Sequence, residues 1–423
     1  MTMSDAREER RRFLETAGAL GLGSLLTGAA GADDTAGGGP SDAARELRPS
    51  NADMGSLYAD VARLAENATY ELSFLGNRFR DVEEFKREGR ARLLDLLHHR
   101  PERVPFRAEV VERIERPDHV RERILFSTTP HFRVPAYVLI PRDLRGRAPA
   151  IVDLHSHGGM FLFGKEKVID LGTNHPAMVE YQRRNYDGRP TATELVRRGY
   201  VVISIDTFMF GERRILMDAD LARGWDRAGY SLETVRALNQ QCRAKEATVV
   251  KSLAWAGLTW PGIVFWDDMR TVDYLVTRPE VDPQRIGCLG VSMGGYRACY
   301  LAALDERIGA ACITGFMSTL RPMLQRHVDT HSFVHFVPGQ ARYLDLPDVA
   351  SLHAPKPLLV QQCAQDGLFP PAGMREALQK IEAAYTRAGA AAQFTGRFYD
   401  VPHMFTRPMQ DEAFAWLDRH LGR

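Results

Sequence analysis

Cysteine is scarce in this chain. Five residues in 423 (Cys242, Cys288, Cys299, Cys312, Cys363) make an odd number with no CxxC spacing, which excludes a disulfide-stapled scaffold and a cysteine-rich zinc module. Charge of one sign is missing too: 55 Lys and Arg oppose 54 Asp and Glu, a formal charge of +1. A protein that binds nucleic acid through its phosphates needs a basic surplus, so no nucleic-acid partner is expected. Beyond the N-terminal segment no apolar run approaches the roughly 20 residues that span a bilayer, so no stable membrane anchor is expected there, and no internal repeat is apparent. What is present, 44% hydrophobic and 26% charged residues, suits a globular chain long enough for one large domain or two ordinary ones.

The N-terminus reads as an address. Arg10-Arg11-Arg12-Phe13-Leu14 precedes a weakly apolar stretch over 17–30 and the small residues Ala30-Gly31-Ala32. This resembles a twin-arginine export signal over 1–32, followed by a Gly/Ala/Asp/Ser/Pro-rich linker over 33–50. No cysteine marks a lipid attachment point. The resemblance implies the twin-arginine export machinery as a partner and a periplasmic or extracellular destination. The plainer reading is a basic tail before a short helix.

The body changes texture along its length. Residues 54–75 and 82–97 carry apolar residues at helical spacing, within a segment, 51–106, expected to pack on a following domain, 107–423. Stretches 107–114, 123–127 and 136–140 read as an antiparallel meander. Apolar runs at 150–154, 200–205, 285–291, 309–313, 357–360 and 393–398 then alternate with helical patterns at 193–198, 264–277, 293–304, 372–388 and 409–421. That order predicts an α/β fold with a mainly parallel, doubly wound sheet, helices on both faces, and function at the carboxyl ends of the strands.

Gly290-Val291-Ser292-Met293-Gly294 is GxSxG between an apolar strand and a helix, the context that lifts a serine onto a strained turn. Gly290 and Gly294 are wanted because a Cβ there would collide with neighbouring backbone. With Asp282-Pro283-Gln284-Arg285-Ile286-Gly287 before it and Asp267-Asp268-Met269-Arg270-Thr271-Val272-Asp273-Tyr274-Leu275 on the preceding helix, the chain resembles an α/β-hydrolase. The likeness is to the dienelactone-hydrolase and acetyl-xylan-esterase-like branch. Dienelactone hydrolases proper carry cysteine at the nucleophile; here it is Ser292.

The resemblance implies a chain order of nucleophile, acid, histidine. His403, after the last strand, is then the base. Asp366, in a loop running to Pro370-Pro371, is the acid, with Asp400 as its rival. The loop His155-Ser156-His157-Gly158-Gly159-Met160 would supply one oxyanion N–H, from Gly159 or its rival Met160, and Met293 would supply the other.

Two patterns admit a metal. Asp153, His155 and His157 form a DxHxH, and His327, His331 and His335 would share one helix face. The oxyanion-loop position of the first, and the absence of a carboxylate at matching depth in the second, weigh against both; no metal or cofactor is expected. An insertion over 207–263, with Trp225, Trp255, Trp260 and nearby Trp266, reads either as a lid with a sugar-stacking wall or as ordinary helix packing.

The expected function is an exported serine hydrolase that cleaves carboxylic esters, acylated carbohydrates among them, through an acyl-enzyme. Short acyl groups are expected if Met160, Met293 or Phe405 closes a shallow pocket. The alternatives are a prolyl-oligopeptidase-like peptidase, for which the upstream region is short, and a non-catalytic binding protein of the same fold.

Overall fold

The computed structural model describes residues 49–223 and 227–422. The export-signal segment, most of the linker and Trp225 lie outside the described residues.

Among the described residues nine strands form one sheet: β1 Glu109–Glu115, β2 His119–Ser127, β3 Arg133–Pro141, β4 Ala148–Leu154, β5 Val201–Ile205, β6 Val281–Val291, β7 Ile308–Thr314, β8 Leu358–Cys363 and β9 Phe394–Tyr399. Their order is β1-β2-β3-β5-β4-β6-β7-β8-β9. The pairs among β1, β2, β3 and β5 are antiparallel, and every pair from β5–β4 to β8–β9 is parallel. The helices are α1 Tyr58–Ala65, α2 Val82–Leu96, α3 Pro176–Tyr186, α4 Thr191–Arg197, α5 Leu232–Trp255, α6 Trp260–Leu275, α7 Met293–Leu304, α8 Gln340–Tyr343, α9 Leu346–Ser351, α10 Pro371–Arg387 and α11 Arg407–Leu421.

The central strands are apolar throughout because both faces are covered. Alternate side chains enter two cores. Val152, Ile203, Cys288, Ile313 and Val360 join one, with Leu301 of α7 and Ile381 of α10. Ile151, Val202, Leu289, Cys312 and Leu359 join the other, with Leu195 of α4 and Phe414 of α11. This is an α/β-hydrolase fold, as the resemblance implied.

Three expectations need correction. Residues 54–75 do not form one helix: α1 stops at Ala65, Tyr70 takes φ 51°, and the N–H groups of Glu71 and Leu72 donate to the carbonyls of Arg342 and Tyr343 instead of to their own turn. Residues 327–335 are not a helix either; only the single turn Phe333–His335 is helical. The tryptophans build no sugar-binding wall among the described residues. Trp260 and Trp266 are 1% and 8% exposed, Trp266 donating to the carbonyl of Thr128, while Trp255 is 96% exposed at the end of α5.

Candidate active site

Loops at the carboxyl ends of β4, β6, β7, β8 and β9 meet above the sheet, where an open parallel sheet places its functional groups. At the turn from β6 to α7, Ser292 is held at φ 60°, ψ −126°, a conformation that costs a non-glycine residue roughly 1–3 kcal/mol. Glycine makes the turn feasible. A Cβ on Gly290 would strike the backbone of Gly294, and one on Gly294 would strike the carbonyl of Leu154. Gly295 belongs to the same constraint, since a Cβ there would lie 2.6 Å from the carbonyl of Thr314. The Ser292 N–H donates to that Thr314 carbonyl at 2.9 Å.

The loop after β9 carries His403, whose Nδ1 lies 2.5 Å from Asp366 Oδ2. Asp366 is buried, and its Oδ1 accepts the Leu368 N–H at 2.9 Å. Asp400 is exposed and accepts instead from Gln365. The structure therefore brings Asp366 to the imidazole and leaves Asp400 outside. With Nδ1–H committed to the carboxylate, Nε2 is the acceptor. It is buried and has no hydrogen-bond partner among the described residues. His403 and Ser292 line one cleft of about 190 Å³, together with His157, Gly158, Gly159, Arg243 and others.

The loop after β4 differs from expectation. Gly159 N–H donates to His157 Nδ1 at 3.0 Å, and Met160 N–H donates to the His157 carbonyl at 3.1 Å. Both candidates for this loop's donor, Gly159 and its rival Met160, are thus already engaged. Gly159 and Gly158 take φ of +68° and +52°, and a Cβ on Gly158 would strike the Tyr181 ring. The Ser156 hydroxyl is pinned between the hydroxyls of Tyr181 and Tyr186 at 2.7 and 2.8 Å. Beneath the loop, Lys167 Nζ donates to the carbonyls of Ser156 at 2.7 Å and His157 at 3.1 Å. In a trans peptide the carbonyl and the following N–H point in opposite directions, so the N–H groups of His157 and Gly158 face away from Lys167. Neither has a hydrogen-bond partner among the described residues.

Lys167 ends Lys165-Glu166-Lys167, three charged side chains that are fully or almost fully buried. Burial pushes the Lys167 amine well below the usual lysine range. Sequence reasoning missed this run. Its signal was visible all the same: a stretch of charge directly behind a glycine loop, in the interior half of the chain. His157 Nε2 in turn meets Glu246 Oε1 at 3.3 Å, and Glu246 Oε2 accepts from the Ser332 hydroxyl at 3.0 Å. Glu246 and Arg243 come from α5, so among its described residues the 207–263 insertion reaches the cleft with charge, not with tryptophan.

The DxHxH pattern does not converge. Asp153 accepts from the Thr191 hydroxyl at 2.6 Å, and burial raises its carboxyl to about 7. His155 accepts the Thr207 N–H through Nε2, and His157 is committed as described. Glu166, Asp206 and Glu212 lie close enough to hold an ion, but Lys165 Nζ sits among them at 3.2, 2.6 and 2.7 Å. The ammonium supplies the positive charge there.

None of the three residues expected to close a short acyl pocket lines the cleft. Met293 and Phe405 are buried in the two cores, and Met160 borders a separate hollow with Tyr181 and Asn239. Phe316, His331, His335 and Leu368 line the cleft instead.

The relatives agree with this architecture. YtaP of Bacillus subtilis (strain 168), assigned as a hydrolase, is 28% identical over 336 residues, 79% of this chain and 99% of that protein. A Bacteroides fragilis NCTC 9343 structure assigned as an acetyl xylan esterase superposes with a TM-score of 0.61 at 19% identity, covering 81% of this chain and 82% of that one. A glucuronoyl esterase from Solibacter usitatus gives 0.56 at 14% identity, covering 81% and 94%. With a family match from residue 58 to residue 420, the chain belongs to the Abhydrolase family.

Proposed function

We propose that the protein hydrolyses carboxylic esters through an acyl-enzyme on Ser292. The observation that carries this reading is His403, bound through Nδ1 to buried Asp366 and lining the cleft beside a serine on a strained turn. His403 Nε2 takes the Ser292 proton as Oγ attacks the ester carbonyl, and returns it to the leaving alcohol. Asp366 holds the tautomer and stabilises the imidazolium that forms. Water then repeats the sequence on the acyl-enzyme.

One oxyanion donor is the Met293 N–H, at the first position of α7 where no intrahelical acceptor exists. The other comes from the peptides that Lys167 orients, the N–H of His157 or Gly158. This replaces the expected Gly159, whose N–H is bound to His157 Nδ1. The substrate class is an ester of a carbohydrate or carbohydrate acid, supported by neighbours of this fold named as acetyl xylan and glucuronoyl esterases. The open mouth beside exposed Arg243 and Thr330 offers polar groups suited to sugar hydroxyls.

An organophosphonate probe should label the protein once, on the peptide containing Ser292, and label Ser292→Ala not at all. Equal labelling of that variant would remove the serine from the mechanism. Among the described residues no helix is long and apolar enough to cross a membrane, and export by the twin-arginine route remains part of the proposal. Replacing Arg10, Arg11 and Arg12 together by Lys should retain active enzyme in the cytoplasm, because a receptor reads arginine and not charge alone. Undiminished export would refute it.

A further inference from the structure

A second hollow, about 370 Å³, adjoins the catalytic cleft, and the two share Phe316, His331 and His335 as walls. Its other sides are mostly apolar, among them Tyr300, Leu320, Leu324 and Val328. Tyr296 also lines it, one turn along α7 from the nucleophile and tied to it by a 2.9 Å bond from the Tyr296 N–H to the Ser292 carbonyl. Tyr296 thus stands about 6 Å along the helix axis from Ser292. An apolar hollow with a few inward polar groups is the usual form of a ligand site.

The polar groups are specific. His331 Nδ1 donates to the His327 carbonyl at 2.6 Å, which leaves Nε2 an acceptor. That Nε2 and both nitrogens of His335 are buried without a hydrogen-bond partner among the described residues. Burial pushes both imidazoles below the ordinary histidine range, so they stay neutral and offer acceptor and donor sites, not charge. The wall is aromatic: ring centroids lie 4.8 Å apart for Phe316–His335 and 4.9 Å for Tyr296–Phe316.

We propose that this cavity binds an apolar, hydroxyl-bearing ring, aromatic in its best fit, carried by the ester whose carbonyl is attacked at Ser292. The inference rests on the esterase reading and adds the chemistry of one half of the substrate. A flat ring matches the aromatic wall, and its hydroxyl supplies the partner that the two imidazoles lack.

Two isomeric probes decide which half carries the ring: the methyl ester of para-hydroxyphenylpropanoic acid for the acyl side, and the acetate of para-hydroxyphenylethanol for the alcohol side. At least one should show kcat/KM about tenfold or more above ethyl acetate, and severalfold above its analogue lacking the hydroxyl. Leu324→Trp, which fills the cavity from the wall away from the cleft, should lower the ratio of the preferred ring ester to ethyl acetate by about tenfold. Calorimetry on Ser292→Ala should detect the intact ring ester and lose it when Leu324→Trp is added. If Leu324→Trp does not fold, competitive inhibition of ethyl acetate hydrolysis by para-ethylphenol in the parent enzyme serves in its place. Ethyl acetate turnover with no ring preference, no inhibition and no binding would overturn the cavity assignment and leave the esterase standing. Ring binding without turnover of any ester, and without phosphonate labelling, would overturn the esterase and keep the cavity as a ligand site.

Discussion

Lys167 shows how a single buried side chain can set the direction of two peptide groups. Its two bonds, to the Ser156 and His157 carbonyls, turn two N–H groups away from it, and an oxyanion is stabilised only by donors already aimed where the charge develops. Lys167→Met keeps the length and apolar body of the side chain but removes both bonds. We expect kcat to fall about 10- to 100-fold with KM changed by less than about threefold, short of the roughly 10²–10³ that loss of a whole oxyanion donor costs. Affinity for a trifluoromethyl ketone, which forms the oxyanion, should fall in step with kcat. A merely structural role would lower the melting temperature without separating kcat from KM, and an unchanged kcat in a folded variant would refute the assignment.

The turn from β6 to α7 belongs to the scale of elements. Strand, serine and helix are joined where the backbones of β4, β6 and α7 touch, so no side chain can yield to make room. Gly294→Ala pushes a methyl into the carbonyl of Leu154, and the expected result is loss of folded protein or destabilisation beyond about 4 kcal/mol, among the largest single-residue effects. Gly159→Ala is the contrast. No atom lies within 4 Å of a Cβ there, so only the positive φ is penalised, at about 1–2 kcal/mol. Urea titration of the two variants measures the difference; equal midpoints would show that the elbow has slack the structure does not display.

Across the whole molecule, buried ionisable groups set the response to pH. Burial holds His353 at about 3, with Nδ1 against the Ala302 carbonyl, and holds His155 and His335 well below their ordinary value. The unfolded chain protonates these imidazoles near 6.5. Their contribution is therefore complete above about 6.5 and is lost as pH falls toward 3. Asp348, raised by burial to about 6, and Asp153, raised to about 7, act in the opposite sense: the proton they keep on folding stabilises fully below about 4, where the unfolded carboxyl is protonated too, and that contribution is lost as pH rises from about 4 to 6–7. Melting temperature should peak in the weakly acid to neutral range. His353→Gln should flatten the rise in stability between about pH 3 and 6.5, and Asp153→Asn, which removes an opposing slope, should steepen it between about 4 and 7, each by an amount on the order of a few kcal/mol at most, since a tenfold change in proton affinity between the folded and unfolded chain is worth about 1.4 kcal/mol. An acid limb that keeps its slope in His353→Gln would assign the sensitivity elsewhere.

What the sequence determined by itself was whatever its physics enforces locally. A strand covered on both faces must be apolar along its length, so β4 to β8 could be read as runs. A sharp turn under a serine needs glycine on either side, so Ser292, Gly290 and Gly294 stood out. With the family likeness, the loops after β8 and β9 then pointed to Asp366 and His403. The tertiary structure decided what depends on distance through space between residues far apart in the chain. His157 and Glu246 are 89 positions apart, and Lys165 and Asp206 are 41 apart; no local pattern ties either pair. The same holds for the burial of Trp260, for the aromatic partition formed by Phe316 and His335, and for the direction of the His157 and Gly158 N–H groups. An N–H carries no side chain to read, and its aim is set by what holds the carbonyl on the far side of the peptide plane.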